Sequence, residues 1–219
     1  MLCIICALTT EYINIINKLC VSREIVIQEN IHICESDIIK CIVAKCDIGK
    51  YAAAKCLNEI LNTYSNVSVV FSVGIAGAIS PLLKVGNIIV GNTIIDYNAQ
   101  MKAEIIRSKW DITRYFKMEP AVCWGKIISS DMPIQNEYLK KQLFCNYHAA
   151  CVEMESASIV RLCNEKRIKF AAIKVISDYA DESLNKVSIR TQLQVSDKLG
   201  KYIYNILPAF CDEKTNPST

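Results

Sequence analysis

The chain has 219 residues, 52% of them hydrophobic and 21% charged, with 25 basic against 22 acidic side chains for a formal charge of +3. That length supports one domain with a sizeable core, and the charge is spread too evenly to form a nucleic-acid-binding block. No run approaches the ~18 apolar residues of a membrane span, so a small-molecule ligand is expected rather than a polymer or a bilayer.

Taken in order, the apolar start Met1–Leu8 lacks a basic leader and reads as a first strand, Leu2–Leu8, rather than a signal peptide. A helical pattern follows over Thr10–Leu19. Short strands are expected at Glu24–Gln28, Ile31–Glu35 and Ile38–Cys46, with Glu29-Asn30 and Ser36-Asp37 as hairpin turns. A helix over Tyr51–Tyr64 leads to strands Ser68–Val73 and Asn87–Ile95. Lys102–Met118 is open between helix and loop. Strand Val122–Ser129, helices Ile134–Phe144 and Glu155–Lys166, strand Lys169–Ser177 and helix Ile189–Leu207 complete the pattern. The later strands are almost continuously apolar, as strands covered on both faces are. The expectation is a single α/β domain over residues 1–211, helices packed on a mixed sheet, with a frayed polar tail at 212–219.

Twelve cysteines sit mostly inside apolar runs and read as reduced core thiols of a cytoplasmic protein. Cys3 and Cys6, three apart on a strand, point to opposite faces and cannot share a metal ion; no second pair at ligand spacing accompanies them, and no metal site is expected.

In open α/β sheets ligands bind beyond the carboxyl ends of strands. After the first strand comes Thr9-Thr10-Glu11; after Val73, Gly74-Ile75-Ala76-Gly77-Ala78; after Ser129, Ser130-Asp131; after Ser177, Asp178. Three acids and a glycine turn converge if those strands run parallel. Gly74–Ala78 matches neither a dinucleotide fingerprint nor a P-loop, and what it offers is close backbone approach to a ligand. Val152-Glu153-Met154-Glu155 opens a helix on whose apolar face Glu155 precedes Ile159 and Leu162. An acid there needs a partner, a ligand or helix-start N–H groups, because a bare buried carboxylate is costly. Asp178 raises the same question at the end of an apolar strand.

These residues, in this order, resemble the methylthioadenosine/S-adenosylhomocysteine nucleosidases of the purine nucleoside phosphorylase superfamily. The similarity runs through Ala7-Leu8-Thr9-Thr10-Glu11, Ile48-Gly49-Lys50-Tyr51-Ala52-Ala53-Ala54, Val73–Ala78, Lys84–Val90, Ser129-Ser130-Asp131, Val152–Glu155 and Ile176–Asp181. It implies a three-layer αβα sandwich around a twisted mixed sheet, a homodimer, a purine nucleoside substrate, water as nucleophile and no cofactor. It implies that Asp178 acts as general acid at the purine N7, for which it must carry a proton, with Ser177 orienting it. Glu11 would activate water. Glu155 would hold the ribose hydroxyls, with Met154 and Glu153 beside it, and Ile75, Ala76 and Gly77 would fix water and sugar. Phosphorylases of the superfamily bind phosphate with a G-D-P segment and an arginine; Thr9-Thr10-Glu11 and Ile75 stand there instead, which favours hydrolysis. Where the family stacks an aromatic on adenine this chain has Pro133 and then Ile134, and the segment between Met101 and Ala121 is short. A different purine nucleoside such as futalosine, a phosphorylase, or a binding module without catalysis are the alternatives. Arg190 reads as a solvated helix residue.

Overall fold

In a computed structural model, the chain is described at residues 1–19, 23–28, 31–35, 40–98, 100–112, 115–116, 121–182 and 188–210, by backbone alone at 23–28 and 31–35. Both expected hairpin turns, the start of the expected strand at Ile38, part of 102–118 and the tail 212–219 lie outside these residues. The elements are β1 Leu2–Cys6, α1 Thr9–Leu19, β2 Arg23–Gln28, β3 Ile31–Glu35, β4 Lys40–Lys45, α2 Lys50–Thr63, β5 Val69–Ala78, β6 Ile88–Gly91, β7 Thr93–Tyr97 and β8 Glu104–Arg107. They continue with β9 Val122–Trp124, β10 Lys126–Ser130, α3 Glu137–Tyr147, β11 Ala149–Glu153, α4 Ser156–Glu165, β12 Lys169–Asp178 and α5 Ile189–Ile206. Among the described residues, no helix is long and apolar enough to cross a membrane.

The strands join into one mixed sheet in the order β2-β3-β4-β1-β5-β11-β10-β7-β8, with β12 pairing both β5 and β6 and β9 flanking β6. Strand β5 is the hub. Parallel β12 occupies one edge from Val69 to Gly77. The other edge carries parallel β1 as far as Ser72 and antiparallel β11 at Gly77 and Ala78. Between Ser72 and Gly77 that edge has no strand partner among the described residues, and its Ile75 N–H turns to the Glu11 carboxylate.

Side chains alternate across the sheet into two cores. Cys3 and Ile5 of β1 point to one, with Val70, Phe170, Leu57, Ile60, Ile159 and Cys163, under α2 and α4. Leu2, Ile4 and Cys6 point to the other, with Phe71, Ile173, Ile15, Leu199 and Ile203, under α1 and α5. Cys3 and Cys6 thus enter opposite cores, as their spacing requires. A smaller third cluster gathers Ile128, Ile134, Leu143 and Val152 around α3. The nine cysteines whose side chains are described are free thiols, most of them buried.

Four expectations need correction. Gly74–Ala78 is not a turn after the strand: β5 runs straight through it. The two runs Asn87–Ile95 and Val122–Ser129 each break in the middle, into β6 and β7 near Asn92 and into β9 and β10 at Gly125. The cause is a backbone crossing. A Cβ on Gly91 would lie 2.4 Å from the Gly125 carbonyl oxygen, and one on Gly125 would lie 2.4 Å from the Ala150 Cβ. Third, α3 starts at Glu137 rather than Ile134, because Asn136 caps it by accepting the Leu139 N–H at 2.9 Å. Fourth, β11 and β8 were not anticipated: β11 is a short apolar run without the flanking turn residues that mark a strand, and β8 lies in the ambiguous segment.

Adding a methyl group at the crossing forces backbone apart. Gly91→Ala is expected to destabilise the protein by about 1–3 kcal/mol, the usual cost of overpacking, measured by urea unfolding. An unchanged midpoint would mean the two backbones are not in contact.

Candidate active site

One cavity of about 230 Å³ opens where β1, β5, β11 and β12 meet. The residues given site roles from the sequence line it: Glu11, Ile75, Ala76, Gly77, Ile134, Glu153, Met154, Glu155, Ser177 and Asp178; Asp131, the acid after Ser130, is not among the lining residues. The acids do not meet because all their strands end in parallel, since β11 runs against β5. They meet because β5 is long enough to pass all of them. Arg190 is exposed on the first turn of α5 and is not part of the lining.

Glu11, 3% exposed on the first turn of α1, fills the open edge of β5. Its Oε1 accepts the Ile75 N–H at 2.7 Å; Oε2 accepts the N–H groups of Leu8 at 2.8 Å and Ala7 at 3.0 Å. A carboxylate here stands in for the missing strand. It needs Gly74 beneath it, because a Cβ there would lie 2.7 Å from Oε1. Burial pushes the Glu11 carboxyl above its ordinary range, and its three N–H donors and the nearby Lys174 charge pull the other way without cancelling it.

Asp178 closes β12. Ser177 Oγ–H donates to its Oδ2 at 2.6 Å, and the Ala180 N–H donates to Oδ1 at 2.8 Å. Ala180 is held at a φ of 50° to aim that N–H. Both oxygens are therefore fixed in direction. Gly77 makes room for them: a Cβ there would lie 2.8 Å from Asp178 Oδ1.

The neighbours Glu153 and Glu155 divide two tasks. Glu153 is the helix-start acid, accepting the N–H groups of Ser156 and Glu155, the Ser156 hydroxyl, and a buried ion pair with Lys174 at 2.9 Å. Glu153 lines the cavity, and its carboxylate oxygens are engaged by Ser156, Glu155 and Lys174. Burial raises its carboxyl, but the Lys174 ammonium and the hydrogen bonds from Lys174 and Ser156 outweigh burial and hold it below the ordinary range. Glu155, the N-cap residue of α4, accepts the Gly49 N–H at 2.8 Å on Oε1 and the Met154 N–H at 3.3 Å on Oε2. Gly49 adopts a φ of 105°, which glycine allows, and this turns its N–H onto Glu155. Burial, then the Glu153 charge, raise the Glu155 carboxyl to about 7 against the pull of Lys174 and Gly49.

Sequence reasoning passed over Lys174 and Gly49. Lys174, 2% exposed, also donates to Ser72 Oγ at 3.0 Å. Burial lowers its pKa, but Glu153, Glu155 and Glu11 reverse that and raise it above its ordinary value. Its signal was legible: one lysine in the otherwise apolar run Phe170–Ile176 must have a buried partner. Behind the main cavity, Glu11, Glu155, Lys174 and Ser72 bound a polar recess of about 10 Å³, about the room one water needs.

The described fold agrees with one family. Residues 2–211 match the model of the phosphorylase superfamily. The chain belongs to that superfamily. Curated relatives include a 5'-methylthioadenosine/S-adenosylhomocysteine nucleosidase of Baumannia cicadellinicola subsp. Homalodisca coagulata, 28% identical over 191 residues, covering 78% of this chain and 82% of the relative. They also include an aminodeoxyfutalosine nucleosidase of Helicobacter pylori strain 26695, 25% identical over 161 residues, covering 66% of this chain and 69% of the relative. Among solved structures, the methylthioadenosine/S-adenosylhomocysteine nucleosidase of S. pneumoniae with a transition-state inhibitor superposes with a TM-score of 0.81 at 19% identity, covering 95% of this chain and 99% of that one. Native futalosine hydrolase of H. pylori superposes with a TM-score of 0.82 at 20% identity, covering 95% and 97%. This superfamily member thus has the expected three-layer αβα fold as one domain.

Two outcomes test the electrostatics. Lys174→Met leaves Glu153 buried without a cation, and a loss of about 3–5 kcal/mol is expected in urea unfolding; a loss under 1 kcal/mol would mean the pair is not buried. The second concerns Glu155, whose folded pKa of about 7 lies above its ordinary 4.5. Between those values the folded protein holds a proton that the unfolded chain releases. The resulting stabilisation is present below pH 4.5 and is lost as pH rises through 7. Glu155→Gln removes this dependence, so the variant should gain on the wild type by about 1–3 kcal/mol between pH 5 and pH 8. An equal stability difference at both pH values would refute the raised carboxyl.

Proposed function

We propose that this chain is an N-glycosyl hydrolase of purine nucleosides, with 5'-methylthioadenosine or S-adenosylhomocysteine as substrate and adenine as one product. One observation carries the choice of hydrolysis: among the described residues, the cavity is lined by four acids, Glu11, Glu153, Glu155 and Asp178, and by no lysine or arginine. A phosphate dianion there would face carboxylates without a cation to neutralise it, whereas water needs only a base.

Glycosidic cleavage leaves a purine that departs poorly as an anion. Asp178, held by Ser177 and Ala180, gives a proton to N7 as the bond breaks. Positive charge develops on the ribose, and the Glu155 carboxylate binds its hydroxyls with Met154 against the sugar. Glu11 takes a proton from the attacking water; a carboxyl raised by burial is a better base near neutral pH than an exposed one. Ile75 and Ala76 line the sugar side through their backbone. The curated relatives named as nucleosidases support this reading.

A second substrate is favoured by the base wall. Pro133 and Ile134 stand where an aromatic is expected, and two relatives at 25% identity are named aminodeoxyfutalosine nucleosidases. Futalosine-type nucleosides are therefore the competing substrates. A nucleoside-binding module without turnover is disfavoured, because Glu11, Glu155 and Asp178 are all present at the cavity. We also infer a homodimer: Ile48 and Met132 line the cavity yet are 58% and 71% exposed, and Tyr51 beside them is 84% exposed, an apolar rim suited to a second copy. Free core thiols suit a reducing, cytoplasmic setting.

The test is turnover of methylthioadenosine and of aminodeoxyfutalosine with and without phosphate, identifying the sugar product. Free sugar formed independently of phosphate is expected; ribose-1-phosphate formed only with phosphate would make the enzyme a phosphorylase. Asp178→Asn should fold normally and lower kcat by about 10²–10⁴-fold. Full activity in that variant would remove the acid from the mechanism.

A further inference from the structure

Outside the three acids, one polar cluster reaches both walls of the cavity, and its centre is Lys50. The ammonium, only 18% exposed, lies 2.5 Å from Asp96 Oδ1 and 2.6 Å from Asp131 Oδ1, and donates to the Tyr97 carbonyl at 3.3 Å. Asp131 opens the segment Met132-Pro133-Ile134, which forms the base-side wall. Its second oxygen accepts from Asn98 Nδ2 at 2.6 Å. On the other side, Lys50 begins α2 immediately after Gly49, whose N–H holds Glu155. Asp96 also takes Arg161 at 2.7 Å, from the helix that starts just after Glu155.

The strands themselves do not need this ammonium. β10 and β7 are already zipped through Ser129↔Asp96 and Ser130↔Tyr97. Lys50 acts beyond the strand ends, where Asp131 has left β10 and no ladder holds it. Without the ammonium, Asp131 would be left beside Asp96 with like charges opposed, and the wall would move outward.

We propose that Lys50 is a positioning residue for the reaction: it ties the Met132–Ile134 wall to the Gly49 turn, and so sets the distance between the base wall and the ribose anchor Glu155. This rests on the nucleoside reading above. A misplaced binding wall costs substrate affinity more than chemistry, so the effect belongs in KM.

The experiment compares wild type, Lys50→Met, Lys50→Arg and Asp131→Asn by steady-state kinetics with methylthioadenosine and by native-state amide exchange without ligand. For Lys50→Met, KM should rise about tenfold or more with kcat within about threefold, and the Met132 and Ile134 amides should exchange about tenfold faster. Lys50→Arg, which keeps a cation between the two carboxylates, should recover most of the KM. Asp131→Asn removes the wall-side partner alone and should raise KM in the same way, which keeps the idea testable if Lys50→Met folds poorly. An unchanged KM in the folded variants, with or without a loss of Tm, would reduce Lys50 to a stabilising ion pair and overturn the proposal while leaving the function intact. If wild type cleaves no purine nucleoside, the functional reading fails instead, and amide exchange alone decides: unchanged exchange at Met132 and Ile134 overturns the clamp.

Discussion

A single buried ammonium organises the charge of this site. Four carboxylates converge on one cavity, and Lys174 ion-pairs directly with only one of them, Glu153. The others must find other compensation. Glu11 takes three backbone N–H groups, Asp178 a hydroxyl and an N–H, and Glu155 two N–H groups. For Glu11 and Glu155 burial outweighs that compensation: both carboxyls are raised, that of Glu155 to about 7. The Glu153–Lys174 pair thus does more than cap α4. It fixes the direction of the peptide from Glu153 to Glu155, and its negative member raises the neighbour that faces the cavity.

The backbone donors exist because β5 is left partly unpaired. β12 covers one edge, while β1 stops at Ser72 and β11 arrives only at Gly77. A buried N–H at that gap has to be satisfied, and the Glu11 carboxylate satisfies it at Ile75. Sheet topology and site chemistry are therefore one problem: the register that ends β1 early is what gives Glu11 its seat. Gly74 and Gly77 complete it, since a methyl group at either would collide with the acid opposite.

The same economy appears at the Gly49-Lys50 turn. One residue sends an N–H to Glu155 and the next sends an ammonium to Asp131, so a two-residue segment contacts opposite sides of the ligand space. Membership of the phosphorylase superfamily accounts for the scaffold. Among the described residues, four carboxylates and no cation line the cavity, and that is the feature on which the proposal of water as nucleophile rests.

Much of this was readable from residue order. Near-continuous apolar runs located β1, β5 and β12, helical periodicity located α1, α2, α4 and α5, acids placed just after strands named Glu11 and Asp178, and an acid on the apolar face of a helix start named Glu155. Those features are local, because strand and helix periods are written into neighbouring residues. What only the tertiary structure decided is relational. The break at Gly91 and Gly125 comes from two backbones crossing, invisible to either run alone. The glycine segment Gly74–Ala78 became strand because β12 pairs it through Gly77. The division of labour between Glu153 and Glu155 follows from a lysine 21 positions beyond Glu153, and sequence distance carries no record of which carboxylate that ammonium will reach. Charges and backbone donors act over a few ångströms in space, and only folding brings them that close.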